Sequence, residues 1–409
     1  MQLLHSATRN YSWGSRTLIP HLQGQPDSDK PVAELWFGAH PGDPSTVDGR
    51  LLNEVIAEDP AGQLGGRVSA EYGERLPFLL KVLAAEEPLS LQAHPSKAQA
   101  EEGFARENAA GIELTASNRN YKDDNHKPEL IVALTDFYAM AGFRPLARTR
   151  ELFAALECPE LDHYVAMLDD DPSATTESAN LRVLFTTWIT IPSAKRKELI
   201  SAIVAAGERL IAADPADWKS RVMSTVLDLN QRYPGDIGVL GALLLNHIEL
   251  SPGEAVYLDA GQLHAYVSGL GVEIMANSDN VLRGGLTPKF VDVPELVKVL
   301  TYAAADEPRV QQQDKSAQGN VHDAAAWSYP VPIEEFLLDR VELTDSSSVD
   351  LDYDGPTIAL CTAGSVTFTD AAGNTLTATP GQAVWLPAAE GLVTATAASD
   401  AADLFVARA

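Results

Sequence analysis

The chain has 409 residues, of which 45% are hydrophobic and 21% are charged, and its formal net charge is −27 at pH 7. These values are typical of a globular protein large enough for two or three hydrophobic cores, and they exclude a disordered chain and a fibrous repeat. The acidic balance disfavours nucleic acids and anionic membrane surfaces as partners, because both repel an acidic protein.

Residues 1–10 lack the basic stretch and apolar run of a secretory leader, and no later apolar run is long enough to cross a bilayer. The two cysteines, Cys158 and Cys361, lie far apart and outside any metal-binding spacing, as expected in a reducing compartment. We therefore expect a cytoplasmic protein with no membrane partner. A small anionic substrate would require a local basic cluster, since nearby charges outweigh screened distant ones.

Short apolar runs broken by proline and glycine fill residues 35–143, and this pattern predicts strands of an all-β unit. Residues 89–94 are one such strand. Immediately after it, Ser96 followed by Gln99 forms a capping box. We expect a helix of about three turns there, with Gly111 available to end it.

The composition changes between Pro145 and Pro234, where Ala, Leu, Glu and Arg dominate. Apolar residues recur there every three or four positions, which predicts a block of helices. The β pattern returns at residues 250–258. The helices are therefore inserted into, or appended beside, a β scaffold.

An internal repeat indicates two related β units. Pro252-Gly-Glu-Ala-Val-Tyr-Leu258 is echoed by Pro380-Gly-Gln-Ala-Val-Trp-Leu386, and each predicts a turn followed by a strand. Only the first copy continues to a histidine, His264, so chemistry is expected in the first unit. Residues 306–327, rich in Gln, Ala and Asp, are expected to connect the two units.

Four residues of the first unit form a candidate metal-ligand set. Gln92 and His94 are two positions apart on a predicted strand, so their side chains share a face, while Glu129 precedes an apolar run and His264 follows a turn. Taken singly, they also fit a polar pair at a strand end, a solvated loop and a structural histidine. Together they offer two imidazoles, a carboxylate and an amide oxygen, a set that suits catalytic Zn²⁺ with open positions.

A basic concentration follows in the segment Asn277-Ser-Asp-Asn-Val-Leu-Arg283-Gly-Gly-Leu-Thr-Pro-Lys289. The two glycines beside Arg283 allow a ligand to approach the backbone, and Arg283 with Lys289 would supply the cluster that an anion needs. The alternative is a glycine-containing turn with exposed basic side chains. In so acidic a protein, the first interpretation is favoured.

These motifs closely resemble those of type I phosphomannose isomerases. The resemblance extends in order from about Tyr11 to Val293, and no motif is recognised beyond about Ala304. It implies a zinc-dependent aldose–ketose isomerase that interconverts D-mannose 6-phosphate and D-fructose 6-phosphate through a cis-enediol, within mannose and GDP-mannose metabolism. The matching segments are Tyr11-Ser-Trp-Gly14, Glu34-Leu-Trp-Phe-Gly-Ala-His-Pro41, Pro77-Phe-Leu-Leu-Lys81, Leu89-Ser-Leu-Gln-Ala-His-Pro95, Asn120-Tyr-Lys-Asp-Asp-Asn-His-Lys-Pro-Glu129 and Asn280-Val-Leu-Arg-Gly-Gly-Leu-Thr-Pro-Lys289.

The resemblance also implies a mainly β fold with an α-helical insertion. Two cupin-type β-barrel or jelly-roll units, the second degenerate, would accompany a helical domain. The expected boundaries are 1–146 and 236–305 for a discontinuous catalytic cupin domain, 147–235 for the inserted helical domain and 306–409 for the C-terminal cupin domain. We expect one Zn²⁺ per chain and a monomer, with an oligomer left open.

Site roles follow from the resemblance, residue by residue. The zinc ligands would be Gln92, His94, Glu129 and His264. The catalytic candidates would be Arg283, as the active-site arginine, and, for proton transfer, His126, Lys127, Tyr266, Glu273 and Asp279. The substrate-binding residues would be Lys81, Lys289 and Trp13. Among the proton-transfer candidates, a neutral histidine has the ordinary pKa nearest the operating pH, which favours His126.

Two other functions of a cupin-like protein remain to be weighed. A mononuclear iron dioxygenase is disfavoured by the glutamine ligand and by the absence of a histidine-rich set. A catalytically silent sugar-binding module is expected to lose ligands or the basic pocket, whereas this sequence keeps both.

Overall fold

The computed structural model describes residues 1–169, 171, 173–305 and 308–409. Over these residues the protein is mainly β with a block of helices in the middle of the chain, which confirms the predicted fold class. The predicted domain boundary at residue 306 lies outside the described residues. None of the described helices combines the length and the apolar character required to cross a membrane.

The strands that carry the candidate site belong to one antiparallel sheet, which branches around the long strand His264–Ala276. That strand pairs with four others, because its first half and its second half have different neighbours. The sheet comprises the described strands Ala7–Arg9, Glu34–Gly38, Phe78–Ala85, Leu91–Ala93, Glu129–Ala133, Phe137–Phe143, Leu245–Leu250, Ala255–Leu258, His264–Ala276 and Leu282–Gly285.

Two further antiparallel sheets are built mainly from the last hundred residues. One comprises Gln2–His5, Thr46–Val47, Arg50–Leu51, Gln313–Asp314, Ala325–Ser328, Leu337–Thr344, Thr357–Ala363, Gln382–Leu386 and Ala401–Arg408. The other comprises Val321–His322, Ser348–Leu351, Val366–Asp370, Thr375–Ala378 and Val393–Ala397. An apolar cluster that includes Cys361, Phe368 and Leu404 joins residues of both sheets in one core.

The amino-terminal strand Gln2–His5 belongs to a sheet of the carboxy-terminal region. It pairs with Gln382–Leu386 on one side and with Thr46–Val47 on the other. The first residues of the chain therefore tie the two β regions together, through a contact between opposite ends of the chain that no local pattern in the sequence indicates.

Both regions in which the sequence predicts helices are helical, whereas the helices Leu18–Leu22, Ile237–Ala242 and Val293–Val299 and those within residues 52–72 were not predicted. The helical block of residues 145–234 and the capping box at Ser96 and Gln99 are confirmed. The all-β interpretation of residues 35–143 is wrong over residues 52–72, which form two helices joined at Asp59. The described helices are Leu18–Leu22, Leu52–Glu58, Pro60–Tyr72, Lys97–Ala109, Leu146–Leu156, Pro159–Val165, Ala174–Ile189, Ser193–Ala213, Trp218–Arg232, Ile237–Ala242 and Val293–Val299.

Candidate metal centre and active site

Three potential ligands converge in the interior of the first sheet. His94, Glu129 and His264 are each at most 1% exposed. His94 Nε2 lies 3.4 Å from Glu129 Oε1, and His264 Nε2 lies 3.4 Å from Glu129 Oε2. One ligand atom from each residue lies within 4.8 Å of the others. Tetrahedral ligands about 2.0–2.1 Å from zinc are about 3.3 Å apart, so the group has the dimensions of a zinc site.

The strand ends set this geometry. Glu129 begins the strand Glu129–Ala133, His264 begins the strand His264–Ala276, and His94 directly follows the strand Leu91–Ala93. The long strand pairs with both of the others, with His264 opposite Gln92 at its start and Met275 opposite Glu129 near its end. The ligand atoms of the three residues nevertheless lie within 4.8 Å of one another. Residues at strand ends can therefore direct polar atoms into a common cavity without interrupting the apolar strand interiors.

Backbone carbonyls fix the orientation of both imidazoles. His94 Nδ1 lies 2.7 Å from the carbonyl oxygen of Asn280, and His264 Nδ1 lies 2.9 Å from that of Gln262. A carbonyl only accepts hydrogen bonds, so each Nδ1–H donates, and in the neutral imidazole Nε2 then keeps its lone pair. The partners thus assign the tautomer that a metal-binding histidine requires.

The converging atoms have no hydrogen-bond partner among the described residues. They are His94 Nε2, Glu129 Oε2 and His264 Nε2. Buried polar atoms rarely lack a partner, so this group requires an explanation. A metal cation bound between them satisfies all three atoms at once, and two imidazoles with one carboxylate are a donor set that zinc accepts.

Electrostatics favour the metal-binding protonation states. Burial lowers the pKa of His94 to about 4, which keeps the imidazole neutral near pH 7. Burial opposes the ionised form of Glu129, but the charge of Lys127 outweighs it and holds the pKa of that carboxyl well below its usual range. At neutral pH the site therefore presents the neutral imidazole of His94 and the carboxylate of Glu129.

Gln92 and Arg283 are brought next to this cluster by strand pairing. Gln92 is the cross-strand partner of His264 on one side and of Arg283 on the other. Arg283 is half-buried, and burial lowers its pKa. Lys289 is more exposed, and its pKa is lowered by burial and by the nearby charges of Arg283 and Lys122. Arg283, Lys122 and Lys289 thus form a local basic group beside the cluster.

A buried ionic network occupies the same interior. Lys81 Nζ lies 2.9 Å from Glu273 Oε2 and 3.7 Å from Glu34 Oε1, and Tyr266 Oη donates to Glu273 Oε1 at 2.8 Å. Burial opposes the charge of Lys81, but the surrounding carboxylates outweigh it and raise its pKa. Burial raises the pKa of Tyr266 well above its usual range, so this phenol stays protonated.

Two more predicted residues contact charged partners near the cluster. Lys127 Nζ lies 2.8 Å from Glu129 Oε1, which places its ammonium directly beside the candidate ligands. His126 Nε2 instead contacts the carboxylate of Glu335, which precedes the strand Leu337–Thr344 of the second sheet. The two neighbours in sequence therefore have different surroundings.

Asp279 and Trp13 lie in less buried positions. Asp279 Oδ1 is 3.7 Å from His40 Nε2, and the side chain of Asp279 is 48% exposed. Trp13 stacks on Tyr11 with ring centroids 5.6 Å apart and packs against the apolar cluster that includes Tyr266. The contacts of Trp13 are thus mainly apolar.

Several residues of the site had no role assigned from the sequence. The carboxylate of Glu34 forms an ion pair with Lys81 and also accepts a hydrogen bond from Trp36 Nε1 at 2.7 Å. The sequence contained an indication of a role for Glu34, because a carboxylate at the start of a fully buried strand needs a partner. Glu335 lies 209 positions from its partner His126, so only the folded structure reveals that contact.

Comparisons with known proteins agree with these observations. Residues 1–146 match the model of the catalytic domain of type I phosphomannose isomerase. Mannose-6-phosphate isomerase of Escherichia coli is 37% identical over 402 residues, covering 96% of each chain, and that of Bos taurus is 34% identical, covering 89% of this chain and 88% of its own. A solved structure of mannose 6-phosphate isomerase from Salmonella typhimurium, bound to its substrate and to zinc, has a TM-score of 0.86 at 33% identity and covers 100% of this chain and 99% of its own.

Proposed function

Because this chain belongs to the family of type I phosphomannose isomerases, also named mannose-6-phosphate isomerases, we propose that it interconverts D-mannose 6-phosphate and D-fructose 6-phosphate with the help of zinc. The observation that carries this function is the convergence of three buried, unpartnered ligand atoms from His94, Glu129 and His264. A silent sugar-binding module has no need to hold such atoms together.

His94, Glu129 and His264 would hold one zinc ion per chain, with Gln92 as the fourth protein ligand. The strand pairing that sets Gln92 opposite His264 supports this assignment. Bound zinc would supply Lewis-acid stabilisation of the negative charge that develops on substrate oxygens. The Nδ1 bonds to the carbonyls of Asn280 and Gln262 keep both imidazoles oriented for that ion.

The isomerisation moves a carbonyl between adjacent carbons through a cis-enediol, so a proton must leave one carbon and arrive at the next. We assign this task to the group His126, Lys127, Tyr266, Glu273 and Asp279. Lys127, whose ammonium lies 2.8 Å from Glu129 Oε1, would donate a hydrogen bond to a substrate oxygen. Glu273 and Tyr266 share a hydrogen bond in the buried interior and would pass a proton between them and the substrate.

The basic group beside the metal cluster would bind the anionic parts of the substrate. Arg283, across the strand pair from Gln92, would stabilise charge on the enediol or a substrate hydroxyl. Lys289 would bind the phosphate, and Trp13 would contact the sugar. Lys81 would act from within its network with Glu34 and Glu273.

We place the catalytic cupin-type unit at residues 1–146 and 236–305, the helical domain at 147–235 and the degenerate cupin-type unit at 306–409. The supporting observations are the separation of the sheets and the helices of residues 146–232 between two halves of the first sheet. We further propose a cytoplasmic monomer that does not bind nucleic acid, as its charge of −27 favours.

The test couples purified protein and mannose 6-phosphate to an assay for fructose 6-phosphate. Conversion is measured before chelation, after chelation and after zinc is returned. We expect conversion that chelation abolishes and zinc restores. An absence of conversion by protein that holds its full complement of zinc would contradict the proposal; it would favour first another aldose phosphate as the substrate and then the silent binding module.

A further inference from the structure

A cavity of about 760 Å³ lies outside the metal centre, between the first sheet and the helical block. Its walls come from the strands Phe137–Phe143 and Leu245–Leu250, the start of helix Leu146–Leu156 and the helix Trp218–Arg232. Val267 also lines it and packs against the apolar core of the helical block. The neighbouring Tyr266 instead lies beside His264, with ring centroids 6.3 Å apart. The cavity therefore lies on the side of the sheet that faces the helical block.

The walls of this cavity are mainly basic, whereas the protein as a whole is acidic. Among the described residues that line it, four carry a guanidinium group and one, Glu249, carries a carboxylate; the four are Arg144, Arg148, Arg221 and Arg309. The whole chain has 57 acidic and 30 basic residues. A local excess of positive charge within so acidic a molecule attracts anions into the cavity.

Three of these arginines have no carboxylate partner within ion-pair distance among the described residues. Arg144 donates to the carbonyl oxygens of Leu245 and Leu243 and to Thr149. Arg148 lies over the ring of Trp218, with its guanidinium carbon 4.4 Å from the centroid. Arg221 Nη1 donates to the carbonyl of Ala216 at 2.6 Å. All these partners are neutral, so the three guanidinium groups form no ion pair within the described part of the chain.

Arg309 and the acidic side chains nearby do not change this balance. Arg309 is already neutralised by Glu254, at 3.8 Å. Glu249 accepts a hydrogen bond from Tyr138 Oη at 3.1 Å. Burial and the charge of Arg148 lower the pKa of Arg144 to about 10, a sign that positive charge is disfavoured there without an anion.

We propose that this cavity binds a small molecule carrying phosphoryl groups, at a site separate from the catalytic centre. Guanidinium forks match phosphate oxygens, and three positive charges suit a ligand with more than one negative charge. The volume lies within the range of about 300–1,000 Å³ typical of small-molecule sites, and the apolar faces of Trp218 and Val222 leave room for an organic portion.

The test is the binding of inorganic pyrophosphate to the full-length, zinc-loaded protein, measured by equilibrium dialysis at fixed ionic strength. The variant is Arg148→Ala/Arg221→Ala, because both side chains are exposed and their loss leaves the core intact. We expect pyrophosphate affinity to fall at least tenfold while isomerase turnover stays within twofold of the parent protein.

The matched control is Arg182→Ala/Arg209→Ala, which removes the same charge from exposed helix positions outside the cavity. It should bind pyrophosphate like the parent protein. Equal binding by the parent and the Arg148→Ala/Arg221→Ala variant would overturn the proposal, because all binding would then occur elsewhere, such as at Arg283. Equal losses in the two double variants would also overturn it, as an effect of net charge alone. Neither result depends on whether the protein isomerises sugars.

Discussion

The two β regions of this protein bury different kinds of side chain. The first sheet encloses charged or ionisable groups, among them Lys81, Glu129 and Glu273, each at most 5% exposed. In the described residues from 308 onward, the polar residues buried to a similar degree carry only hydroxyl groups; they are Ser328, Ser347, Thr357 and Thr362. Charged side chains of the described carboxy-terminal region, such as the paired Arg408 and Asp339, are only partly buried.

The backbones of the two regions are nevertheless alike where the sequence repeats. In each copy a Pro-Gly turn precedes a strand, and both turn glycines have positive φ, +89° at Gly253 and +79° at Gly381. The strands Ala255–Leu258 and Gln382–Leu386 follow. A shared turn and strand therefore do not carry function by themselves, and the chemistry depends on which side chains fill the interior.

The energetic difference explains why only one interior is charged. Moving an ion out of water costs several kcal/mol of desolvation free energy. The attraction of an oppositely charged partner offsets this cost only when the geometry of the pair is good. An apolar interior such as that around Phe368 and Leu404 needs no such compensation. Retention of Lys81, Glu34 and Glu273 in the first region therefore indicates a use other than stability.

The largest expected effect is at His264. Replacement by alanine removes one of three clustered ligands, so bound zinc should be lost and turnover should fall by at least about a thousandfold. Metal analysis and the coupled assay measure the two losses on the same sample. His322→Ala, at an exposed histidine of the carboxy-terminal region, should change neither. Full zinc retention by the His264→Ala protein would remove that residue from the metal site.

Replacement of Lys81 tests how far unpaired charges in the same interior lower the free energy of unfolding. Lys81→Met leaves Glu273 and Glu34 without their shared cation, and we expect the free energy of unfolding to fall by about 3–5 kcal/mol. Urea denaturation measures it. Lys81→Met/Glu273→Gln should recover part of the loss, because one of the unpaired carboxylates is neutralised. A double variant less stable than Lys81→Met would argue against repulsive charge as the cause.

Arg283 should affect catalysis without affecting the metal. Arg283→Ala removes a positive charge beside the cluster but none of the converging ligand atoms, so zinc content should stay unchanged while kcat falls by about a hundredfold. Arg209→Ala, an exposed arginine of the helical block, serves as the control with normal kcat. Near-normal turnover of the Arg283→Ala protein would exclude the guanidinium from the reaction.

Local patterns were sufficient to predict much of the fold. Helical periodicity identified residues 145–234, and the Ser96 and Gln99 pair identified the start of helix Lys97–Ala109. Residues 52–72 were missed, because the helix pair is short and its second member contains Gly65 at a non-helical φ of +78°. Glycine-containing segments of this kind weaken the periodic signal on which a sequence prediction depends.

Local patterns also predicted part of the site. The side chains of His94, Glu129 and His264 stand out as ligand types at the ends of apolar runs, and the structure brings them together. Their roles as ligands remain a prediction. The contact between His126 and Glu335, and the pairing of Gln2–His5 with Gln382–Leu386, join distant parts of the chain and leave no local trace in the sequence.

The smallest expected effect is a change in the pH dependence of folding stability when His247, on the outer face of the first sheet, is replaced. Burial and, to a smaller extent, the charge of Arg144 lower the pKa of His247 from 6.5 to about 4. The hydrogen bond to the carbonyl of Ala242 acts in the opposite direction and raises it. The unfolded chain therefore takes up a proton before the folded protein does as the pH falls. Stability is lost from pH 6.5 down to about 4, by at most about 1.4 kcal/mol per pH unit.

His247→Gln keeps a donor for the Ala242 carbonyl but cannot be protonated, so it should flatten the decline in the urea midpoint between about pH 7 and pH 5. The matched variant is His5→Gln, at an exposed histidine on the strand Gln2–His5 of the other β region. It should leave the decline unchanged. An equal slope for His247→Gln and the parent protein would show that the pH sensitivity of the first region arises from other groups, and the contrast between the two regions would then rest on the buried network alone.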